Sequence, residues 1–163
     1  MNKILLLLLL SFNCYSQEIS ENFTVEKNII TWSKVYEFKD DPIPFLKQNL
    51  ALKFDEKNSG AAQDLNLRCK SISIYARENF KFNFLIEVKD GKYKVTASNF
   101  VFSNSININL SGISSNETPS TIEKFELRNK DNTIRTNSQS KTNINCLNDY
   151  LSELFQIKPP KEW

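Results

Sequence analysis

The chain has 163 residues, with Lys+Arg 21 against Asp+Glu 19, no histidine and a formal net charge of +2. That length is a prior for one domain, two at most. The missing imidazole removes the commonest general base and metal ligand together with the usual catalytic triads. Near-neutrality removes long-range attraction to nucleic acid or anionic lipid.

Residues 1–16 read as a signal peptide. Lys3 is a one-charge leading region, Ile4 to Leu10 is an unbroken apolar run, and Cys14-Tyr15-Ser16 sets small residues at the positions that signal peptidase reads. The run is too short to span a bilayer as a stable helix, so no transmembrane segment is expected after cleavage. Export with cleavage before Gln17 follows as the expectation. The rival is a lipoprotein acylated at Cys14, but Phe12 and Asn13 are the wrong size for the residues that should precede such a cysteine. Residues 17–163 remain as one α+β domain, large enough to bury about two-thirds of its unfolded surface.

Gln17 to Glu26 is a polar lead-in or a short edge strand, anchored by Ile19, Phe23 and Val25. Asn28 to Phe38 alternates Ile30, Trp32, Tyr36 and Phe38 against Thr31, Ser33 and Glu37, the period of a half-buried strand. Asp40-Asp41-Pro42 starts a helix predicted to run from Pro42 to Phe54, with Ile43, Leu46, Leu50 and Phe54 as its stripe and Asn58-Ser59-Gly60 as its stop. Leu65 to Arg77 is predicted as a strand with a mid-course change of parity. Phe80 to Phe102 predicts a hairpin about Asp90-Gly91: Phe80, Phe82, Phe84, Ile86 and Val88 share one face, and Asp-Gly supplies the positive φ of a two-residue turn. In its second arm Tyr93, Val95 and Ala97 give way to Phe100 and Phe102 on the other parity, which predicts a bulge near Ser98-Asn99. Ile106, Ile108 and Leu110 alternate as a further strand. Residues 112–141 form a polar, turn-rich insert in which Thr121 to Asn129 fits a strand or a short helix equally well. Thr142 to Phe155 is predicted as the last helix, with Ile144, Leu147, Leu151, Leu154 and Phe155 on its apolar face, Thr142 as its cap and Pro159-Pro160 beyond it.

Few residues invite chemistry. Cys69 and Cys146 are candidates for a disulfide in an oxidising compartment; the alternative is two separate buried thiols packing as small hydrophobes. Two cysteines do not make a structural zinc site, and Gly60, Gly91 and Gly112 lie too far apart for a phosphate-cradling loop. Asp40 and Asp41 are explained by helix capping, Asp55 and Glu56 by a solvated loop, and Asp90 by its turn. No catalytic, cofactor-binding or metal-ligating residue is assigned, and no cofactor is expected. Lys81-Phe82, Lys92-Tyr93-Lys94 and Lys34 with Tyr36 have the look of a nucleic-acid surface, yet amphipathic strands account for them, so no nucleic-acid partner is expected. The favoured reading is an exported, non-catalytic binding or envelope-accessory domain whose ligand and partner the sequence leaves open, a protein or an envelope component being among the options. The alternatives are a carrier of an apolar small molecule, with Phe80, Phe82, Phe84, Leu151 and Phe155 lining a cavity under the last helix, and a hydrolase working with carboxylates alone.

The order strand, Asp-Asp-Pro helix, strand, Phe-rich strand, Glu87-Val88-Lys89-Asp90-Gly91-Lys92-Tyr93-Lys94-Val95 hairpin, variable segment and final helix resembles a domain-of-unknown-function family of exported bacterial proteins with a TBP-like fold, after the TATA-binding protein. The matching portion is Phe23 to Phe102. The resemblance implies an α+β fold, a curved antiparallel sheet of roughly four to six strands with an N-terminal-half helix and a C-terminal helix on one face. It implies no activity and carries no catalytic residue over to this chain.

Overall fold

The computed structural model describes residues 22–103, 120–128 and 130–158. The predicted leader with Cys14, the Ile106–Leu110 strand, Gly112 and Pro159-Pro160 lie outside them. Lys27 and Asn28 take φ of 49° and 65°, the pair of positive values that closes a two-residue hairpin. That turn joins β1 (Phe23–Glu26) to β2 (Ile29–Glu37). The segment before Asn28 is therefore the edge strand of the two options. There follow α1 (Ile43–Leu46), β3 (Leu52–Phe54), β4 (Ser59–Leu65), a 3-10 turn (Tyr75–Arg77), β5 (Phe80–Lys89) and β6 (Lys92–Phe102). The rest is β7 (Ser120–Thr121), α2 (Ile122–Glu126), β8 (Leu127–Arg128), β9 (Thr133–Ile134) and α3 (Ser138–Leu154).

The main sheet has the order β1-β2-β6-β5-β4-β3, with every neighbouring pair antiparallel, and β7 extends it beside the end of β6. β8 and β9 form a separate ribbon. Asp90 and Gly91 hold φ of 50° and 71°, so the β5–β6 turn is the one that Asp-Gly favours. The parity change in β6 is a real bulge: register shifts between Lys81 and Asn83, and Asn99 sits at φ 57°. Without it Phe100 and Phe102 would point away from the core. With it they join Trp32, Phe80, Phe82, Phe84, Tyr93 and Val95 beneath Ile144, Leu147, Leu151 and Phe155. The opposite sheet face carries Thr31, Ser33, Lys81, Asn83, Lys94 and Thr96, and on it Val35 and Leu85 are 56% and 43% exposed. One aromatic face and one wet face make this an α+β sheet with its long helix on a single side.

The Pro42–Phe54 helix is a single turn. Asp41 Oδ1 accepts from the Ile43 amide at 3.0 Å, so an aspartate does answer an orphan amide, but Pro42 and not Asp41 holds the cap position and the helix proper begins at Ile43. It then stops because Asn49 closes a turn of its own. Its Oδ1 accepts from the Ala51 amide at 3.1 Å and its Nδ2 donates to the Leu154 carbonyl at 3.2 Å. Leu50 is consequently 94% exposed, while Leu52 and Phe54 belong to a strand paired with Ala62 and Gly60. Asn58-Ser59-Gly60 is not a stop but the entry to β4. A Cβ on Gly60 would lie 2.0 Å from the Lys53 carbonyl oxygen, so β3 approaches too closely for any other residue. The strand expected over Leu65–Arg77 holds only at Leu65. Beyond it the backbone is bonded to α3 instead of to a neighbouring strand: the Ser73 amide donates to Asn143 Oδ1 at 2.9 Å and Gln139 Nε2 donates to the Ser71 carbonyl at 2.8 Å. Ile74 is left 65% exposed. α3 begins four residues earlier than the predicted Thr142, capped by Asn137, whose Oδ1 accepts from the Ser140 amide at 2.8 Å. Within the polar insert, β7, α2, β8 and β9 are formed.

Candidate functional site

The five side chains proposed as cavity walls fill the interior. Phe155 lies 6.1 Å from Phe82 and 5.6 Å from Phe84, ring centre to ring centre, and Phe80 lies 6.1 Å from Phe82. No guest fits between rings so spaced. Leu151 is fully buried beside them, and the Tyr93 hydroxyl donates to the Phe155 carbonyl at 2.7 Å. Cys69 and Cys146 are joined as a disulfide, Cα to Cα 6.1 Å, which ties the loop after β4 to the middle of α3. Asp40, Asp41, Asp55, Glu56 and Asp90 are all exposed.

The carboxylate that is buried was not singled out in the sequence. α2 places Ile122 and Glu126 one turn apart on its inner side, and Glu126 is 1% exposed. Its Oε1 accepts from the Tyr75 hydroxyl and from Asn143 Nδ2, the latter at 2.8 Å. Its Oε2 has no hydrogen-bond partner among the described residues. Asn143 Nδ2 also reaches Ser73 Oγ at 2.9 Å. The Tyr75 ring stacks on Phe125 with centroids 3.9 Å apart. Burial first, and the neighbouring Glu126 carboxylate second, push the Tyr75 phenol far above its ordinary value, which keeps its proton in place as a donor. The cluster fastens α2, the 3-10 turn and α3 together. It also fixes the root of the β8–β9 ribbon, because the Glu126 carbonyl accepts from the Arg135 amide at 2.8 Å.

That ribbon forms one wall of an open groove of about 920 Å3. Its floor is Phe23, Val25 and Ile134; Lys27 and Asn28 close one end; Arg128, Asp131, Asn132, Thr133 and Thr136 stand opposite β1. A second hollow shares Arg128 and Thr136 and adds Lys130 and Arg135. Within the groove Lys27 and Arg128 stand against Asp131, and Lys130 and Arg135 carry the positive charge on into the adjoining hollow, so basic residues flank the apolar floor. Asp131 is already answered: Arg128 Nη1 lies 3.5 Å away and the Thr133 hydroxyl donates to it at 2.8 Å. The Thr133 bond is the main cause holding the Asp131 carboxyl below its ordinary value.

Hairpin geometry decides what β1 shows this groove. Glu26 pairs with Ile29 across a two-residue turn, and the Ser33 amide donates to the Asn22 carbonyl at 2.8 Å. In an antiparallel pair the bonded positions alternate, so Asn22, Thr24 and Glu26 turn their backbone groups toward β2. The N–H and C=O of Phe23 and Val25 therefore point outward along the sheet edge. Ile30 obeys the same alternation from the other side: its amide turns away from β1 and is taken by Glu123 Oε1 at 3.0 Å. In the sequence this site was hidden, because Lys27-Asn28 lacks the glycine of a familiar turn pair and Arg128 and Arg135 lie within the polar insert.

No family model matches the chain, and no curated protein matches it. Two solved structures are similar. A TBP-like protein from Parabacteroides distasonis ATCC 8503 shares 12% identity over 85% of this chain and 96% of its own, with a TM-score of 0.50. A DUF4468 family protein from Bacteroides ovatus ATCC 8483 shares 11% identity over 88% of this chain and 95% of its own, with a TM-score of 0.46. The first likeness shows the fold: the α+β arrangement of this chain is TBP-like, as the resemblance in its sequence implied.

Proposed function

We propose that the chain is an exported, non-catalytic binding domain and that the groove between β1 and the β8–β9 ribbon is where its partner sits. The observation that carries this reading is the groove itself, an apolar floor under a basic rim. That composition suits recognition, with cations and backbone groups to orient a ligand and apolar surface to hold it. The one carboxylate in the lining, Asp131, is engaged by Arg128 and Thr133. The Cys69–Cys146 bridge supports export, since such bonds persist in oxidising compartments, and so does the leader read at residues 1–16.

The test is made in the native host. A photo-crosslinking residue at Thr133, in the groove, is compared with one at Lys81, on the open sheet face. One discrete adduct from position 133 and none from position 81, on a protein whose first residue is Gln17, is the expected result. Equal labelling from both positions, no adduct, or a mature chain that still begins with Met1 would overturn it.

A further inference from the structure

We infer that the occupant of the groove is an extended, acidic segment of a partner protein that joins the sheet as a strand beside β1. This rests on the groove being the binding site and names the chemistry of what enters it. Phe23 and Val25 line the groove, and theirs are the β1 positions whose N–H and C=O groups face away from β2. Among the described residues no strand pairs with that edge, since β1 ends the sheet order. An edge of this kind is a template for another chain, and proteins usually blunt it with charge, proline or a covering element. Here β1 is FTVE, without proline or lysine; its one charge, Glu26, alternates onto the sheet face opposite Phe23 and Val25, which line the hollow.

Main-chain bonding gives a strand-adding ligand its hold, while side chains that alternate across the added strand give selectivity. Those pointing inward would meet the floor of Phe23, Val25 and Ile134 and so favour valine, isoleucine or threonine. Those pointing toward the rim would meet Lys27 and Arg128, with Lys130 and Arg135 beyond, and so favour aspartate and glutamate. The rim is cationic on a chain whose total charge is only +2, so the complementarity is local. The ribbon wall is held in place from behind by the Glu126 cluster, which lets the groove stand preformed.

The experiment pans a library of random twelve-residue peptides on the full chain purified with its disulfide intact. Enriched peptides should alternate β-branched and acidic residues. Binding should fall at least tenfold in the Lys27→Glu/Arg128→Glu protein and, separately, in Val25→Pro, which deletes one outward N–H at an edge position where proline is tolerated. Circular dichroism confirms that each variant is folded. If Val25→Pro does not fold, a synthetic binder N-methylated at alternate amides replaces it and should lose binding in one of the two registers. Loss with the charge reversal but indifference to both backbone changes would keep the groove as a binding site and overturn strand addition. Binders insensitive to every change, or no enrichment, would overturn both. Concentration-dependent dimers that Val25→Pro dissolves would assign the edge to a second copy of this chain and overturn the partner proposal.

Discussion

Glu126 is a buried acceptor on which two donors converge. Glu126→Ala leaves the Tyr75 hydroxyl and Asn143 Nδ2 without it and should cost about 2–4 kcal/mol, read as a lower urea midpoint. Glu126→Gln keeps an acceptor oxygen in the same place, so it should cost less than half as much. The tyrosines add a pH dependence of fixed sign. Burial raises Tyr75, Tyr36, Tyr93 and Tyr150 above the ordinary tyrosine value of 10.0. Below that pH both folded and unfolded chains keep these protons, so what the four groups contribute is present in full and does not vary with pH. Above it the unfolded chain ionises first and folding weakens as pH rises. Urea midpoints should therefore fall above about pH 10, and less steeply in Tyr75→Phe. Nothing in Thr-Ile-Glu-Lys-Phe-Glu-Leu advertised this cluster. A helix and a strand both put Glu126 on the side of Ile122, since positions four apart share a face in either, so periodicity did not mark this carboxylate as the buried one.

Among the elements, the β5–β6 hairpin was legible because three local signals agree in it: alternation, Asp-Gly at the turn, and a parity change at the bulge. α1 and β3 were not, because Ile43, Leu46, Leu50 and Phe54 satisfy a helical period across what is in fact a turn, a loop and a strand. The deciding residue was Asn49, whose side chain bonds at both ends are invisible in a hydropathy pattern. Leu50 and Gly60 separate the two readings. On a helix stripe Leu50→Lys would be severe; in this fold it should change stability by no more than about 0.5 kcal/mol. Gly60→Ala would be harmless in a loop; here it drives a methyl into the β3 backbone and should cost about 1–3 kcal/mol. Both are checked by thermal melts. The segment 66–74 defeated pattern-reading for a related reason: its bonding partners Gln139 and Asn143 are some 70 residues on, and no local period records them.

At the scale of the whole molecule the sheet divides into a side packed with rings and a side left to water, and that division was readable from strand parity. What ties the segment after β4 to α3 was readable only as one of two options, because geometry decides whether cysteines pair. Cys69 and Cys146 close a loop with a sequence separation of 77. In the chain-entropy model such a closure contributes about 4 kcal/mol, so the Cys69→Ser/Cys146→Ser protein should melt well below the parent, and reductant should reproduce the shift only in the parent. The position of α3 in the chain has a further consequence. Synthesis from the N-terminus delivers the phenylalanine-rich hairpin before the helix that shelters it. Until residue 155 has emerged, those rings have only one another to lie against and present an uncovered apolar face.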